Sequence, residues 1–322
     1  MENIYLSIKN LYKEFAAGEG LFSSSNARLK AVNSVSLDIH RGRTLGLVGE
    51  SGCGKSTLGR CIIRLTEPEG GEIIHNGTDI LKLDRNEFRT YRKKFQIVFQ
   101  DPYSSLNPRM TVGDILGEII KFHHGTKSNE TEKKCFELLG HTGLPRSSIN
   151  KYPHEFSGGQ RQRIAISRAL AVEPEFIVCD EPVSALDVSI QSQIINLLKD
   201  LQTEFGLTYL FISHDLSVVK HISDDIAVMY LGRVTEYSGK NNLFNSPYHP
   251  YTKSLLDAVP VPDPGYRQER TRLKGEIPDP VNPPGGCPFN TRCPVKIPVC
   301  GNEYPGRYGD DGHFTYCHLY ND

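Results

Sequence analysis

The residues Gly49-Glu50-Ser51-Gly52-Cys53-Gly54-Lys55-Ser56-Thr57 fit the spacing G-x-x-x-x-G-K-[ST]. Glycines in such a run let backbone N–H groups converge on phosphate oxygens, and a helix that follows adds partial positive charge at its N-terminus. Lys55 can then reach the β- and γ-phosphates of a nucleoside triphosphate, and the Ser56 hydroxyl can ligate Mg²⁺. The candidate triphosphate ligands are Gly49, Ser51, Gly52, Cys53, Gly54, Lys55, Ser56 and Thr57. Cys53 has two readings: the field of the helix N-terminus favours its thiolate, or it is a small residue filling a tight turn.

About 125 residues beyond Lys55, the apolar run Phe176–Cys179 closes on Asp180-Glu181. An acid at the C-terminal end of a buried strand can hold Mg²⁺ through water, and the next acid can polarise an attacking water as general base. Asp180 takes the first role and Glu181 the second. A further anion site follows from Ser157-Gly158-Gly159-Gln160, which precedes the amphipathic stretch Arg161–Leu170. Ser157 is a natural N-cap, and the two glycines permit close backbone approach to an anion.

Ser-Gly-Gly-Gln ahead of such a helix resembles the signature sequence of ATP-binding cassette (ABC) ATPases, with Phe156 where that family usually has Leu. The resemblance implies roles for residues that would carry no signal alone. Gln100 matches the glutamine loop, which contacts Mg²⁺ and the attacking water and leads into a helical subdomain. Ser184-Ala185-Leu186-Asp187 matches the loop that crosses a dimer interface, and His214 matches the switch histidine that touches the γ-phosphate. Phe15 aligns with the aromatic that stacks on adenine; Tyr12 is a rival for that place, and core packing is an alternative for both. The implied mechanism is a head-to-tail dimer in which Ser157 and Gly159 of one subunit close over ATP held by the other.

The likeness covers essentially the whole chain and narrows further. Tyr152–Phe156, His249-Pro250-Tyr251-Thr252 and the cysteine-rich tail resemble ATPase subunits of oligopeptide and dipeptide importers, and Ala258–Pro264 resembles the second of the two paired ATPases. The implied partners are a homologous second ATPase, two transmembrane permease subunits and, indirectly, an extracytoplasmic substrate-binding protein. Nickel, microcin and glutathione importers carry similar subunits, which leaves the cargo open.

Eight cysteines split into two sets, and four of them are spaced C-x5-C-x6-C-x16-C near the end, at Cys287, Cys293, Cys300 and Cys317. Crowded cysteines in a reducing compartment are more often metal or cluster ligands than disulfides, and this spacing is not a zinc knuckle. The importer resemblance implies a [4Fe–4S] cluster on these four; zinc and free thiols are the alternatives.

Alternating strand-like and helix-like runs over residues 1–246 position this chemistry in an α/β domain. Expected strands are Ile4–Ile8, Ala31–Ile39, Thr44–Val48, Phe95–Phe99, Phe176–Cys179, Tyr209–Ile212 and Ile226–Tyr230. The helix-rich stretch of about 101–172, with Val112–Phe122 and Glu130–Leu139, is expected as an inserted helical subdomain, and Ala16–Lys30 as a flexible loop. With an antiparallel β subdomain, this is the fold class that the resemblance implies. Residues 247–322 are too rich in proline for long regular elements and need a staple, for which the cysteines are the obvious means, apart from one short helix at Tyr251–Ala258.

A chain of 322 residues can bury a large core, and 37 basic against 38 acidic residues, without blocks of one sign, give no support for broad nucleic-acid binding. No apolar run reaches membrane-spanning length, and Met1–Tyr5 lacks the regions of a secretory signal. The expected location is therefore the cytoplasmic face of the cell membrane, reached through a partner. A soluble ABC ATPase acting on nucleic acid or ribosomes is the rival class. Chromosome-type members insert a very long coiled coil and translation-type members carry two cassettes, whereas this chain has one cassette with only about a hundred residues between loop and signature.

Overall fold

The computed structural model describes residues 3–16, 27–258 and 275–320. Most of the expected Ala16–Lys30 loop and the run Val259–Pro264 lie outside the described residues.

The chain opens with β1 (Ile4–Ala16), β2 (Arg28–His40) and β3 (Thr44–Val48), followed by α1 (Lys55–Ile62), β4 (Gly70–His75) and β5 (Thr78–Asp79). Next come α2 (Arg85–Lys94), β6 (Phe95–Val98), α3 (Pro102–Ser105), α4 (Val112–His124), α5 (Ser128–His141) and α6 (Gly158–Leu170). The order continues with β7 (Phe176–Asp180), α7 (Val188–Phe205), β8 (Thr208–Ile212), α8 (Leu216–Ile222), β9 (Asp225–Tyr230) and β10 (Arg233–Gly239). It ends with α9 (Lys240–Asn245), α10 (Pro250–Asp257), β11 (Arg307–Gly309) and β12 (His313–Tyr316).

These elements form two compact units. One comprises Met1–Asn3, His40–Thr44 and Lys82–Ile212. Within it β6, β7 and β8 pair in parallel, with Val98 opposite Cys179 and Asp180 opposite Ile212. Every residue of β7 and β8 is buried, as expected of parallel strands covered on both faces. Helices α4, α5 and α6 enclose a core of their own, including Val112, Leu116, Ile120, Leu139 and Ile164. Thr111 and Asp114 close a capping box at the start of α4, and Gly125 ends that helix at φ 64°. Phe156 is buried in this core, so its bulk serves packing.

The other unit comprises Ile4–Ile39, Leu45–Leu81 and Ser213–Asp322. It holds a four-stranded sheet in the order β2-β1-β4-β5. A bulge between Lys9 and Tyr12, with Asn10 at φ 48°, lets β1 run well past the expected Ile8. Leu45–Val48 of β3 pairs in parallel with β9, and β10 turns back antiparallel on β9.

The C-terminal extension, expected as a loop-rich tail with its cysteines as the obvious staple, also carries regular strands. Short strands β12 and β11 add antiparallel to β10, with Glu236 opposite Thr315, so the tail completes a sheet. Stacking of Tyr248 on His313, at 3.8 Å between ring centroids, fastens it further. Among the described residues, no helix is long and apolar enough to cross a membrane.

Candidate nucleotide site

Between β3 and α1 the chain makes a turn that only glycine fits at two points. Gly54 has φ 102°, and a Cβ there would lie 2.0 Å from the Ala31 carbonyl oxygen; at Gly49, with φ 154°, it would lie 2.1 Å from that of Met229. No side chain caps the N-terminus of α1, which starts at Lys55. Helix N–H groups at such an end suit an anion. The Lys55 ammonium is buried and donates to the carbonyls of Gly49 (2.8 Å) and Glu50 (3.0 Å). Ser56 and Thr57 sit half-buried in the first turn, and Ser51 and Gly52 are exposed.

Cys53 corrects one expectation. Its thiol is pushed up, because burial outweighs the favourable charge of Lys55 3.8 Å away. The thiol is the stable form, and the small-residue reading of this position fits.

In the other unit, β7 delivers Asp180 as its last residue, only 2% exposed, with Glu181 immediately after it. Glu181 adopts φ 47°, left-handed backbone that costs a residue with a Cβ roughly 1–2 kcal/mol. Its N–H donates to Ile212 O (3.1 Å), and its carbonyl accepts from the Ser184 hydroxyl (3.1 Å). Gln100 Nε2 donates to Glu181 Oε2 at 3.0 Å and lies 3.4 Å from Ser184 Oγ. The structure thus brings together Gln100, Glu181 and Ser184, and holds Glu181 in a conformation for which its sequence context carries no signal.

Ser157 caps α6 within a capping box: its Oγ accepts from Gln160 N (3.4 Å), and Gln160 Oε1 accepts from Ser157 N (3.0 Å). Ser157, Gly158 and Gln160 are exposed. The glycines have a packing role that the sequence did not reveal. A Cβ on Gly159 would meet Ile190 Cγ2 at 2.5 Å, and one on Gly158 would meet Leu186 Cδ2 at 3.2 Å. Asp187 is the exposed N-cap residue of α7, beside Val188, which is 78% exposed.

His214 is exposed just after β8, and Asp215 behind it caps α8 by accepting from Ser217 N at 2.8 Å. Phe15, near the end of β1, is 40% exposed, so core packing does not account for it; the Lys13 ammonium lies 5.1 Å from its ring centroid. Tyr12 is partly buried, and its hydroxyl is bonded to Glu14.

None of the four late cysteines is paired in a disulfide, and Cys300 and Cys317 are buried. Burial pushes Cys287 up to about 11 and also raises Cys293 and Cys317; in each case neighbouring cysteines add to the shift. Backbone hydrogen bonding at Phe289, Val295 and Leu319 opposes it at these three sulfurs. The thiols are close enough to feel one another. Yet among the described residues no group of three or more His, Cys, Asp or Glu side chains is arranged to hold a metal ion.

Comparison with known proteins places these features in a family. Residues 32–184 match the ABC transporter family, and residues 235–300 match the oligopeptide/dipeptide transporter C-terminal region. The chain is 52% identical over 319 residues to the oligopeptide transport ATP-binding protein AppF of Bacillus subtilis, covering 98% of this chain and 97% of that one. It belongs to the oligopeptide-type ABC ATPases. Another relative, the putative peptide import ATP-binding protein BOV_A0347 of Brucella ovis, is 51% identical over 98% of both chains. Among solved structures, cbiO1 of Clostridium perfringens, part of the ABC transporter complex cbiONQ, superposes with a TM-score of 0.66 at 28% identity. That match covers 76% of this chain and 92% of cbiO1. The ATP-binding cassette MJ0796, solved as a dimer in a post-hydrolysis state with ADP and Pi, gives 0.64 at 32% identity over 73% and 98% of the two chains. An ABC ATPase hydrolyses ATP with Mg²⁺, and the α/β fold with parallel and antiparallel sheets is that of the family.

Proposed function

We propose that this ABC ATPase powers uptake of di- and oligopeptides across the cytoplasmic membrane, working on its cytoplasmic face as a peripheral subunit beneath two permease proteins. The observation that carries the reading is the near-full-length likeness to oligopeptide ATP-binding proteins, which includes the C-terminal region at 235–300. Residues 1–246 form the nucleotide-binding domain, with a helical subdomain at about 101–172, and 247–322 form the importer-type extension. The second ATPase is a homologue, and this chain is the second-type member of that pair, a reading supported by the run Ala258–Pro264.

In this reading the loop from Gly49 to Thr57 binds the triphosphate, Lys55 neutralises its terminal phosphates, and Phe15 stacks on the base. Ser56, Asp180 and Gln100 would hold Mg²⁺, which supplies charge neutralisation. Glu181 draws the proton from a water whose oxygen bonds the γ-phosphorus while the bond to the β–γ bridging oxygen breaks; His214 holds that phosphate in line. Ser157, Gly158, Gly159 and Gln160 serve ATP bound to the partner ATPase, and Asp187 lies at the interface between the two. The exposed apolar side chain of Val188 supports that interface, as does the dimeric state of the MJ0796 cassette.

Cys287, Cys293, Cys300 and Cys317 are the residues that would hold a [4Fe–4S] cluster, with zinc as the alternative occupant. Their mutual proximity supports this reading, whereas burial favours the thiol at Cys287, Cys293 and Cys317, and among the described residues no three such side chains are arranged to hold a metal ion. Protein purified without oxygen should be brown and carry iron and acid-labile sulfide; one zinc per chain in colourless protein would identify the other occupant.

Co-purification and reconstitution test the whole reading. The chain should come down with two multi-spanning proteins and a homologous ATPase, and in vesicles ATP should drive entry of labelled peptides. Uptake of nickel or glutathione instead of peptide would move the cargo, and a complex free of membrane proteins would overturn the importer.

A further inference from the structure

The phosphate loop contains one acidic side chain, Glu50, and the structure shows where it goes. Its carboxylate accepts two parallel bonds from the Arg292 guanidinium, Nη1 to Oε2 at 2.6 Å and Nη2 to Oε1 at 2.9 Å. Arg292 belongs to the C-terminal extension, 242 residues away in sequence, and its side chain is only 6% exposed. Glu50 is held at its other polar groups too. Its N–H donates to the Tyr251 hydroxyl at 2.9 Å, and its carbonyl accepts from Lys55 Nζ at 3.0 Å.

Arg292 is itself firmly placed. The turn that carries it is tied by Asn290 N to Cys287 O (2.9 Å), by Arg292 N to Phe289 O (3.0 Å) and by Cys287 N to Cys300 O (2.9 Å). Phe289 packs edge-on against Tyr230, with centroids 5.4 Å apart, and tilted against Tyr251 at 5.3 Å. A second stretch of the extension, Ile277–Pro280, walls a cavity of about 220 Å³ together with Glu50–Cys53.

A carboxylate inside a loop that binds a polyanion is a liability unless its charge is matched and its position fixed. The planar fork of an arginine does both, since it is always charged and grips a carboxylate at two points. We propose that Arg292 is a positioning residue for the ATP site: by neutralising and anchoring Glu50 it keeps the phosphate loop ready for triphosphate, and so makes the C-terminal extension a working part of the nucleotide site. The inference rests on the reading of the loop as the site of ATP.

The test is a double-substitution cycle on the full-length chain, with ATP affinity measured by calorimetry and thermal unfolding followed without nucleotide. Arg292→Gln should weaken ATP binding about tenfold, within the range usual for coupling between two sites. Adding Glu50→Gln to that variant should recover most of the lost affinity, because the freed carboxylate is gone, while the unfolding temperature of the two variants stays alike. Wild-type affinity in Arg292→Gln, or a double variant as weak as the single one, overturns the proposal. If Arg292→Gln does not fold, Arg292→Lys goes through the same cycle; it keeps the charge, loses the two-point grip, and should lose affinity in the same direction, with wild-type affinity overturning the proposal. Lys55→Ala separates the two layers. Normal ATP binding in that variant would sink the reading of the loop together with the inference, whereas abolished binding leaves Arg292 judged on its own cycle.

Discussion

Gln100 and Glu181, 81 residues apart in the chain, are joined by a hydrogen bond of 3.0 Å from the amide Nε2 to the carboxylate Oε2. The bond has a direction that matters. A donor on one carboxylate oxygen orients the group. Ser184 braces the same residue through its carbonyl, and the left-handed backbone of Glu181 aims the side chain.

Glu181→Gln should therefore leave ATP binding intact and lower kcat at least about 100-fold, the usual scale for losing a general base. ATP-bound pairs with the partner ATPase should accumulate, which size-exclusion chromatography reads directly. Gln100→Ala keeps the proposed base, Glu181, but removes its orienting donor. Its kcat should fall less, about tenfold, with the affinity for ATP unchanged.

The packing of α6 on α7 gives a stability prediction. Because a Cβ on Gly159 would press on Ile190 at 2.5 Å, Gly159→Ala should destabilise the protein by about 1–3 kcal/mol, the scale of overpacking. Pairing it with Ile190→Ala should return most of that loss. Denaturant melts of the single and double variants check the pair; equal stability of Gly159→Ala and the parent would remove the contact as a constraint.

His249 sets an acid limit. Burial holds its pKa down at about 4, assisted by Lys253 and opposed by Glu236, and its neutral Nδ1 accepts the Tyr251 N–H at 3.0 Å to start α10. The unfolded chain protonates this ring near pH 6.5, so the folded form binds fewer protons between about pH 4 and 6.5. Stability from His249 is complete above that window and falls as pH drops through it, by a total on the order of 3 kcal/mol. His249→Asn retains a capping acceptor and should remove this part of the slope in melts compared at pH 5 and pH 7.

How much of this was legible beforehand depended on whether the signal was local. β3 occupies Thr44–Val48 as read, and α4 and α5 overrun their expected spans by two or so residues at an end, because apolar periodicity and caps are written in adjacent residues. β4 and β10 carried no such mark. Gly70 and Gly71 open one, and Arg233–Gly239 is buried along most of its length without an apolar run; partner strands make them what they are. The same holds for the site. Spacing in the sequence was enough to nominate Lys55, Asp180 and Glu181, but the left-handed turn at Glu181, the steric demand on Gly159 and the reach of Arg292 to Glu50 all depend on residues distant in sequence. Cys53 shows the opposite failure, since a local field argument for thiolate lost to burial.

The central claim is that ATP is cleaved between the phosphate loop of one polypeptide and the capped helix of its neighbour. The direct measurement is ATP turnover with Ser157→Arg in this chain, made both on the isolated monomer and on the assembled pair of ATPases. The account predicts negligible turnover by the monomer, and in the pair loss of hydrolysis at the partner's loop while ATP binding to this chain's own loop is unchanged. Full-rate hydrolysis by the isolated Ser157→Arg monomer would contradict it.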